Sequence, residues 1–306
     1  MRVLERQRRT AVLRRAAFGC LKDGFTINLT SGCLHDCVYC YAQGFRSTPK
    51  DGRVYLYRDL PASLVSHLQR LRRPPTSVSF STASDPFQPA GEILSTALST
   101  FEILLRRGIP VSFLTKGHIP EEIIRLFARY RYLVKARIGI VSVNEEYRRV
   151  FEPGAAKIEE RFTNIQKLVA EGIETEARID PIVPSVSDGP DDLERLLRVL
   201  RASGVKRVAV SYLILRPYLY RRLFQCLDRS LAERIVGSYK DQPWQRVITS
   251  ARTRLFPKDL RAKRYELIKE MGRSLGIDVR VCGCKNPDLP FESCEPQKNW
   301  GLFSDI

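Results

Sequence analysis

Residues 28–45 read NLTSGCLHDCVYCYAQGF and begin within the first β-rich run, FTINLT (25–30). Cys33, Cys37 and Cys40 lie within eight residues, spaced C-x3-C-x2-C, with Tyr39 and Tyr41 bracketing the last thiol. The whole chain has 8 cysteines in 306 residues. That is too sparse for a disulfide scaffold, and the clustering argues for metal in a reducing compartment. Four thiolates would close a structural zinc or an ordinary iron–sulfur centre. Three on one short loop can hold three irons of a 4Fe–4S cube and leave the fourth iron open. A zinc site would need a fourth ligand, for which His35 or Asp36 is near, and it would give no role to the aromatic before the third Cys.

Outward from this loop the chain alternates between two periodicities. Further β-rich runs are SVSFST (77–82), PVSFLT (110–115), LVKARIGIVS (133–142), IETEARI (173–179) and VKRVAVSYL (205–213). Helical patterns lie between them at 59–72, 92–107, 120–130, 157–171 and 191–202, with another from about 219 to 238. In the 191–202 segment Leu193, Leu196, Leu197 and Leu200 fall on one helical face. Gly108, Gly172 and Gly204 each sit between a helix and a strand, as C-cap glycines do. Six β–α units in succession predict a parallel sheet with right-handed crossovers, either a barrel or a doubly wound sheet. In both, chemistry gathers at the C-terminal ends of the strands. Residues 1–24 read as a basic arm, expected to be helical, residues 25–235 as the barrel, and residues 236–306 as an extension that completes it through a helix near 258–275 and a strand, GIDVRVCG.

The C-x3-C-x2-C loop with an aromatic before its last Cys resembles the signature of the radical S-adenosylmethionine (SAM) superfamily. The resemblance implies a partial (β/α)6 barrel of the radical SAM type. It also implies a 4Fe–4S cluster on Cys33, Cys37 and Cys40 whose open iron chelates SAM, and reductive cleavage of SAM to a 5′-deoxyadenosyl radical that abstracts hydrogen from a substrate. SGCLHDCVYCYAQG, SFSTASDPFQPAGE, LTKGH and ARIDPIVPSVSD more closely resemble the spore photoproduct lyase-like group. That resemblance assigns SAM contacts to Ser84, with Asp85 beside it, to Lys116 and to Ser142. Chemistry agrees: SAM brings a carboxylate that Lys116 can neutralise and polar groups that serine hydroxyls can satisfy. Arg178 is a second carboxylate candidate, and Tyr39 can pack on adenine. Ser84-Asp85-Pro86 is also good turn chemistry. In the lyase a Cys returns hydrogen to the product, and here that position is Thr82, whose O–H bond is too strong to donate a hydrogen atom. Tyr41, which helps relay that hydrogen in the lyase, is kept. Tyr41 and Thr82 are therefore the candidate catalytic positions, and the resemblance implies related chemistry on a different substrate.

The tail, VRVCGCKNPDLPFESCEPQKNW, carries a second trio, Cys282, Cys284 and Cys294. Three readings compete: an auxiliary iron–sulfur cluster, a zinc ion completed by Cys226, Cys20 or His118, and plain or redox-active thiols. Apart from that, Cys20 and Cys226 read as core cysteines. Lys and Arg number 51 against 34 acids, a net charge of +17, which favours a polyanionic partner. LRPYLYRRLFQ (215–225) brings Arg216, Tyr218, Tyr220, Arg221 and Arg222 towards the barrel mouth, where they could meet phosphates and bases. The expected partners are a nucleic acid or nucleotide substrate and a reductant such as flavodoxin or ferredoxin. A peptide or small-metabolite substrate, and a nucleic-acid-binding protein with structural metals, are the rival readings. With no long apolar run, no membrane span is expected, and the Arg-rich start lacks the apolar core of a signal peptide, so the cytoplasm is the expected location.

Overall fold

The computed structural model describes residues 1–16, 19–21, 24–247 and 252–290. The strands are β1 (Arg2–Glu5), β2 (Arg14–Arg15), β3 (Phe25–Ile27), β4 (Thr30–Ser31), β5 (Arg53–Leu56), β6 (Val78–Phe80), β7 (Val111–Thr115), β8 (Val134–Gly139), β9 (Glu174–Ile182), β10 (Arg207–Tyr212), β11 (Gln245–Arg246), β12 (Arg252–Thr253) and β13 (Asp278–Val281). The helices are α1 (Leu60–Gln69), α2 (Gly91–Leu105), α3 (Glu121–Arg129), α4 (Glu145–Phe151), α5 (Ile158–Ala170), α6 (Pro190–Ala202), α7 (Pro217–Cys226), α8 (Arg229–Gly237) and α9 (Lys258–Ser274).

One eight-stranded sheet runs in the order β13, β10, β9, β8, β7, β6, β3, β2. Seven of these strands are parallel, and β2 pairs antiparallel with β3 at the edge. This is the partial barrel expected from the alternating pattern, with β13 added as a seventh parallel strand. The register explains the composition: β8 is buried at all six positions, as strands covered on both faces must be. The helices meet the sheet with apolar stripes, and in α6 Leu193, Leu196, Leu197 and Leu200 are the buried face. Gly108, Gly172 and Gly204 have positive φ directly behind α2, α5 and α6, the left-handed C-cap conformation.

Four expectations are corrected. The basic arm is not helical: β1 pairs parallel with β5, and β2 joins the main sheet. The segment 219–238 is two helices, because the Asp228 side chain accepts from the Leu231 N–H and starts α8 afresh. The first β-run ends at Ile27, and Thr30–Ser31 leave the barrel to pair with β5. Cys226 is exposed rather than in the core. Among the described residues no helix is long and apolar enough to cross a membrane.

A cluster of phenylalanines ties the core to the mouth of the barrel. Phe80 stacks on Phe101 at 4.1 Å, and Phe87 meets Phe101, Phe113 and Phe127. Each such pair contributes about 0.5–1.5 kcal/mol beyond area burial. Phe87 belongs to the turn after β6, so the core itself anchors the Thr82–Gln88 turn that faces the cysteine loop.

Candidate active site

Cys33, Cys37 and Cys40 lie on the loop that leaves β3 and β4, at the C-terminal end of the parallel strands. Polar contacts from several elements fix it. The Leu34 N–H donates to Gln88 Oε1 at 2.7 Å, and the Gln88 amide donates to Thr30 Oγ1 and to the Asp85 carbonyl. The Gly154 N–H donates to the His35 carbonyl at 3.0 Å. A Cβ at Gly154 would lie 2.0 Å from the Leu34 carbonyl oxygen, so only glycine lets the two backbones touch. Arg222 on α7 reaches the Asp36 carboxylate and, at 3.2 Å, the Asp36 carbonyl.

Asp85 ties three segments together. Its carboxylate accepts from the Phe87 N–H (2.8 Å), the Thr115 hydroxyl (2.8 Å) and the Lys116 N–H (2.8 Å), and His35 Nδ1 lies 3.4 Å away. Burial works against ionisation, but His35 and the backbone donors outweigh it, and the carboxyl is held below its ordinary range. Asp85 thus positions the Cys loop against the ends of β6 and β7. Ser84 donates to the Thr30 carbonyl at 3.1 Å. Asn28 holds the same turn: its amide nitrogen donates to Thr82 Oγ1 at 2.9 Å, and its oxygen accepts from the Ala83 and Ser84 N–H groups. The Tyr41 hydroxyl donates to the Thr82 carbonyl at 2.6 Å, so the two candidate catalytic positions meet. Arg216 lies over the Tyr41 ring, 5.2 Å from its centroid.

Lys116 enters the mouth from the end of β7. Its ammonium is 3.7 Å from Glu152, 3.5 Å from the Asp180 carbonyl and 5.8 Å from the centre of the Tyr39 ring. A Cβ at Gly139 would come within 2.6 Å of Lys116 Nζ, so the end of β8 is hollowed out for this side chain. Glu152 and Arg161 form a fully buried ion pair, and the Tyr39 hydroxyl donates to Glu152. Tyr39 is therefore seated in a buried polar network beneath Lys116. Arg178 lies within β9, which continues to Ile182, and binds Asp180 at 3.1 Å. Asp180 also takes both 2.6 Å contacts from Lys285, which follows β13. Burial raises the Asp180 pKa, but Lys285 and Arg178 prevail and hold it below the ordinary range. Ser142, three residues past the end of β8, accepts from the Asn144 N–H at 3.0 Å in a local turn.

The donors of the cysteine loop fit an iron–sulfur cluster. Burial pushes all three thiols up; Asp85 adds to this at Cys33 and Glu152 at Cys37, and Cys40 raises both. Backbone hydrogen bonding from Asp85 and His35 offsets part of this at Cys33, and from Ala42 and Gln43 at Cys40, while Lys116 draws Cys37 and Cys40 down. Burial and crowding disfavour charge on the bare thiols, a penalty that coordination to cationic iron would offset. The two residues that might have completed a zinc site are otherwise engaged: His35 with Asp85, Asp36 with Arg222. Glu152, Arg161, Gln88 and Lys285 were missed in the sequence. A signal for Arg161 existed, since it falls on the buried face of α5 with Ile158, Ile165 and Leu168, where a charged residue needs a buried partner. Two of the residues expected to face phosphate are structural instead: Arg222 holds Asp36, and Tyr218 lies under Lys50 at 4.8 Å.

A parallel partial barrel thus carries three thiols on its first loop, beside a strand-end lysine, at the end of the sheet where enzymes of this architecture place their chemistry. The model of the radical SAM superfamily matches residues 27–188, more than half of the chain, and the protein belongs to that superfamily. An uncharacterised protein of Mycobacterium tuberculosis is 26% identical over 226 residues, covering 71% of this chain and 66% of the relative. A radical SAM Nα-GlyT isomerase of Pseudomonas phage M6 is 22% identical over 251 residues, 82% of this chain and 51% of the isomerase. The chain thus spans between half and two thirds of these relatives' lengths. Among solved structures, spore photoproduct lyase complexed with dinucleoside spore photoproduct superposes with a TM-score of 0.69 at 15% identity, over 91% of this chain and 81% of the lyase. The fold is therefore that of the lyase.

Proposed function

We propose that this protein is a radical SAM enzyme that abstracts hydrogen from a nucleobase, in nucleic acid or in a nucleotide. The observation that carries the reading is the trio Cys33, Cys37 and Cys40 on the loop at the barrel mouth, with backbone hydrogen bonding at two of the sulfurs and Lys116 beside them. When bound to this trio, a 4Fe–4S cluster supplies the electron for reductive cleavage of SAM, the source of the hydrogen-abstracting radical. Lys116 is the group to meet the SAM carboxylate, with Ser84 and Ser142 for its other polar groups and Arg178 for a second charge. Asp85 and Gln88 hold the loop in register. Glu152 orients Lys116 from below, Tyr39 completes that buried network, and Tyr41 bridges the Cys loop to the Thr82 turn.

The substrate reading is supported by the relatives and by charge. Three of the lyase structures this chain resembles carry a dinucleoside spore photoproduct, one of them with AdoMet also bound. At the mouth, Arg216 over Tyr41 presents a cation and an exposed ring to an incoming base or phosphate. A reduced flavodoxin or ferredoxin is the expected electron source. The test is anaerobic turnover with dithionite and SAM, offering irradiated DNA, transfer RNA and nucleotide pools in separate reactions. 5′-Deoxyadenosine should form in the wild type and be lost in Cys33→Ala/Cys37→Ala/Cys40→Ala. Its undiminished formation in that variant would remove the cluster assignment. Turnover stimulated by peptides but by none of the nucleic acid or nucleotide pools would remove the substrate assignment.

A further inference from the structure

The end of β9 gathers more charge than the proposed cofactor contacts account for. The Asp180 side chain is 7% exposed, and its carboxylate takes Arg178 at 3.1 Å and Lys285 at 2.6 Å on each oxygen. Lys116 Nζ lies 3.5 Å from the carbonyl oxygen of the same residue. Burial opposes ionisation of Asp180, yet Lys285, Arg178 and Lys116 outweigh it and hold the carboxyl below its ordinary range. One buried acid thus faces three cations at the mouth of the barrel. Tyr41 lies within reach of the same charges: burial, Cys40 and Asp180 push its phenol up, against Arg216 and Arg178.

Lys285 reaches this place from the C-terminal extension. It ends the short turn Gly283–Lys285 behind β13, which pairs with β10, the neighbour of β9. The turn is held from several sides. The Cys282 N–H donates to the Val210 carbonyl at 3.1 Å, and the Lys285 N–H donates to the Cys282 carbonyl at 3.0 Å. The Asn286 amide donates to the Cys282 carbonyl at 2.8 Å, and buried Arg261 on α9 binds Asn286 and Asp288 at 2.7 and 2.6 Å. Cys284 Sγ accepts from the Cys20 N–H at 3.1 Å. Cys294, expected as a further ligand in this tail, lies outside the described residues. A lysine on a turn fixed in this way loses less freedom in meeting a carboxylate than one on a free loop.

We propose that Lys285 is a positioning residue for the cofactor: by occupying the Asp180 carboxylate it leaves Lys116 free to meet the carboxylate of SAM. The inference rests on the reading of Lys116 given above. Without the Lys285 charge, the Asp180 carboxylate keeps Arg178 on one oxygen, and the Lys116 ammonium is already 3.5 Å from the Asp180 carbonyl. A buried carboxylate stripped of a partner is strongly disfavoured, so it draws Lys116 away from Glu152 and towards itself. Lys116 held there is no longer offered to SAM. The direction of the effect is diagnostic. SAM carries one carboxylate against an ammonium and a sulfonium, a net positive charge. Loss of a cation from the mouth would by long-range attraction alone tighten its binding, whereas capture of Lys116 weakens it.

The test is equilibrium binding of SAM to the reconstituted full chain, with the thermal midpoint as the check on folding. In Lys285→Met the dissociation constant should rise roughly 10-fold, the loss of one charge-assisted hydrogen bond. Lys285→Arg, whose guanidinium can bridge both carboxylate oxygens, should bind as the wild type does. Asp180→Asn/Lys285→Met removes the acid and its partner together, so no carboxylate captures Lys116, and affinity should return to the wild-type value. That double variant leaves the net charge of the mouth unchanged and gives its answer even if Lys285→Met does not fold. Unchanged or tighter binding in Lys285→Met, or weak binding in the double variant, overturns the proposal. Lys116→Ala separates the two readings. Weakened binding there beside unchanged binding in Lys285→Met removes only the role of Lys285. Unchanged binding in Lys116→Ala removes the assignment of Lys116 and the proposal with it.

Discussion

Gly139→Ala separates the fold from the cofactor pocket. Gly139 ends β8 and does not have positive φ, so alanine fits its backbone and replaces a residue that costs a strand roughly 0.5–1 kcal/mol. The atoms the new Cβ meets are Lys116 Nζ at 2.6 Å and Lys116 Cγ at 2.9 Å, with the Thr115 carbonyl oxygen at 3.4 Å. Relieving both contacts takes a shifted Lys116 side chain, at a cost of about 0.5–1.5 kcal/mol, so the thermal midpoint should fall by only a few degrees. The displaced ammonium, however, leaves Glu152 and the Asp180 carbonyl and can no longer be where a SAM carboxylate would meet it. A charge-assisted hydrogen bond is worth about 1.5–3 kcal/mol, which predicts a rise in the SAM dissociation constant of roughly 10- to 100-fold. Equilibrium binding of SAM to reconstituted protein measures it, beside Lys116→Ala and the double variant. Because Gly139→Ala acts through Lys116, the two losses should not add. An unchanged dissociation constant, or losses that add in full, would refute the assignment of Lys116 to the SAM carboxylate.

Asp85→Asn removes the charge that receives the Thr115 hydroxyl and two backbone N–H groups, and turns an amide N–H towards one of those donors. The unfolding free energy should fall by about 2–4 kcal/mol, read by chemical denaturation. The folded pKa is held down, so the wild-type advantage is fully present above the ordinary carboxylate range and lost as pH falls through the depressed value. The gap between the two proteins should be present above about pH 5 and close in stronger acid, as Asp85 protonates; a gap that persists undiminished well below the ordinary carboxylate range would contradict this. If Thr82 stands where the resemblance puts the lyase's hydrogen-donating Cys, the wild type lacks that donor, and its repair of a synthetic dinucleoside spore photoproduct should be undetectable by chromatography, with Thr82→Cys as the variant to compare. Efficient repair by the wild type would show that the absent thiol at 82 does not set the substrate.

The barrel was legible because its evidence is periodic and local. Strands covered on both faces give apolar runs, helices give 3.6-residue stripes, and three of the changeovers are marked by glycines, Gly108, Gly172 and Gly204, in the left-handed C-cap conformation. The N-terminal arm was misread for the opposite reason. Its arginines suit a solvated helix as well as a strand, and what decides the matter is pairing with β5 and β3, far along the chain or across a turn.

The site divides along the same line. Residues whose chemistry is intrinsic, such as three thiols on a loop or a lysine at a strand end, announce themselves in the sequence. Residues that act by holding others do not. Gln88 looks like any loop glutamine until its amide is seen joining Leu34, Thr30 and Asp85, and Glu152 looks like a helix-end acid until Arg161, Lys116 and Tyr39 close on it. Leu34 and Thr30 lie 54 and 58 residues from Gln88, and Tyr39 lies 113 residues from Glu152, and only the fold brings them together. Lys285 is the extreme instance. It reaches Asp180 across a hundred residues of sequence because β13 lies two strands from β9, and the loop that delivers it is held by Arg261 through Asn286 and Asp288. The loop that carries Cys282 and Cys284 thus also delivers Lys285 to Asp180, and through Asp180 it bears on the charge balance beside Lys116.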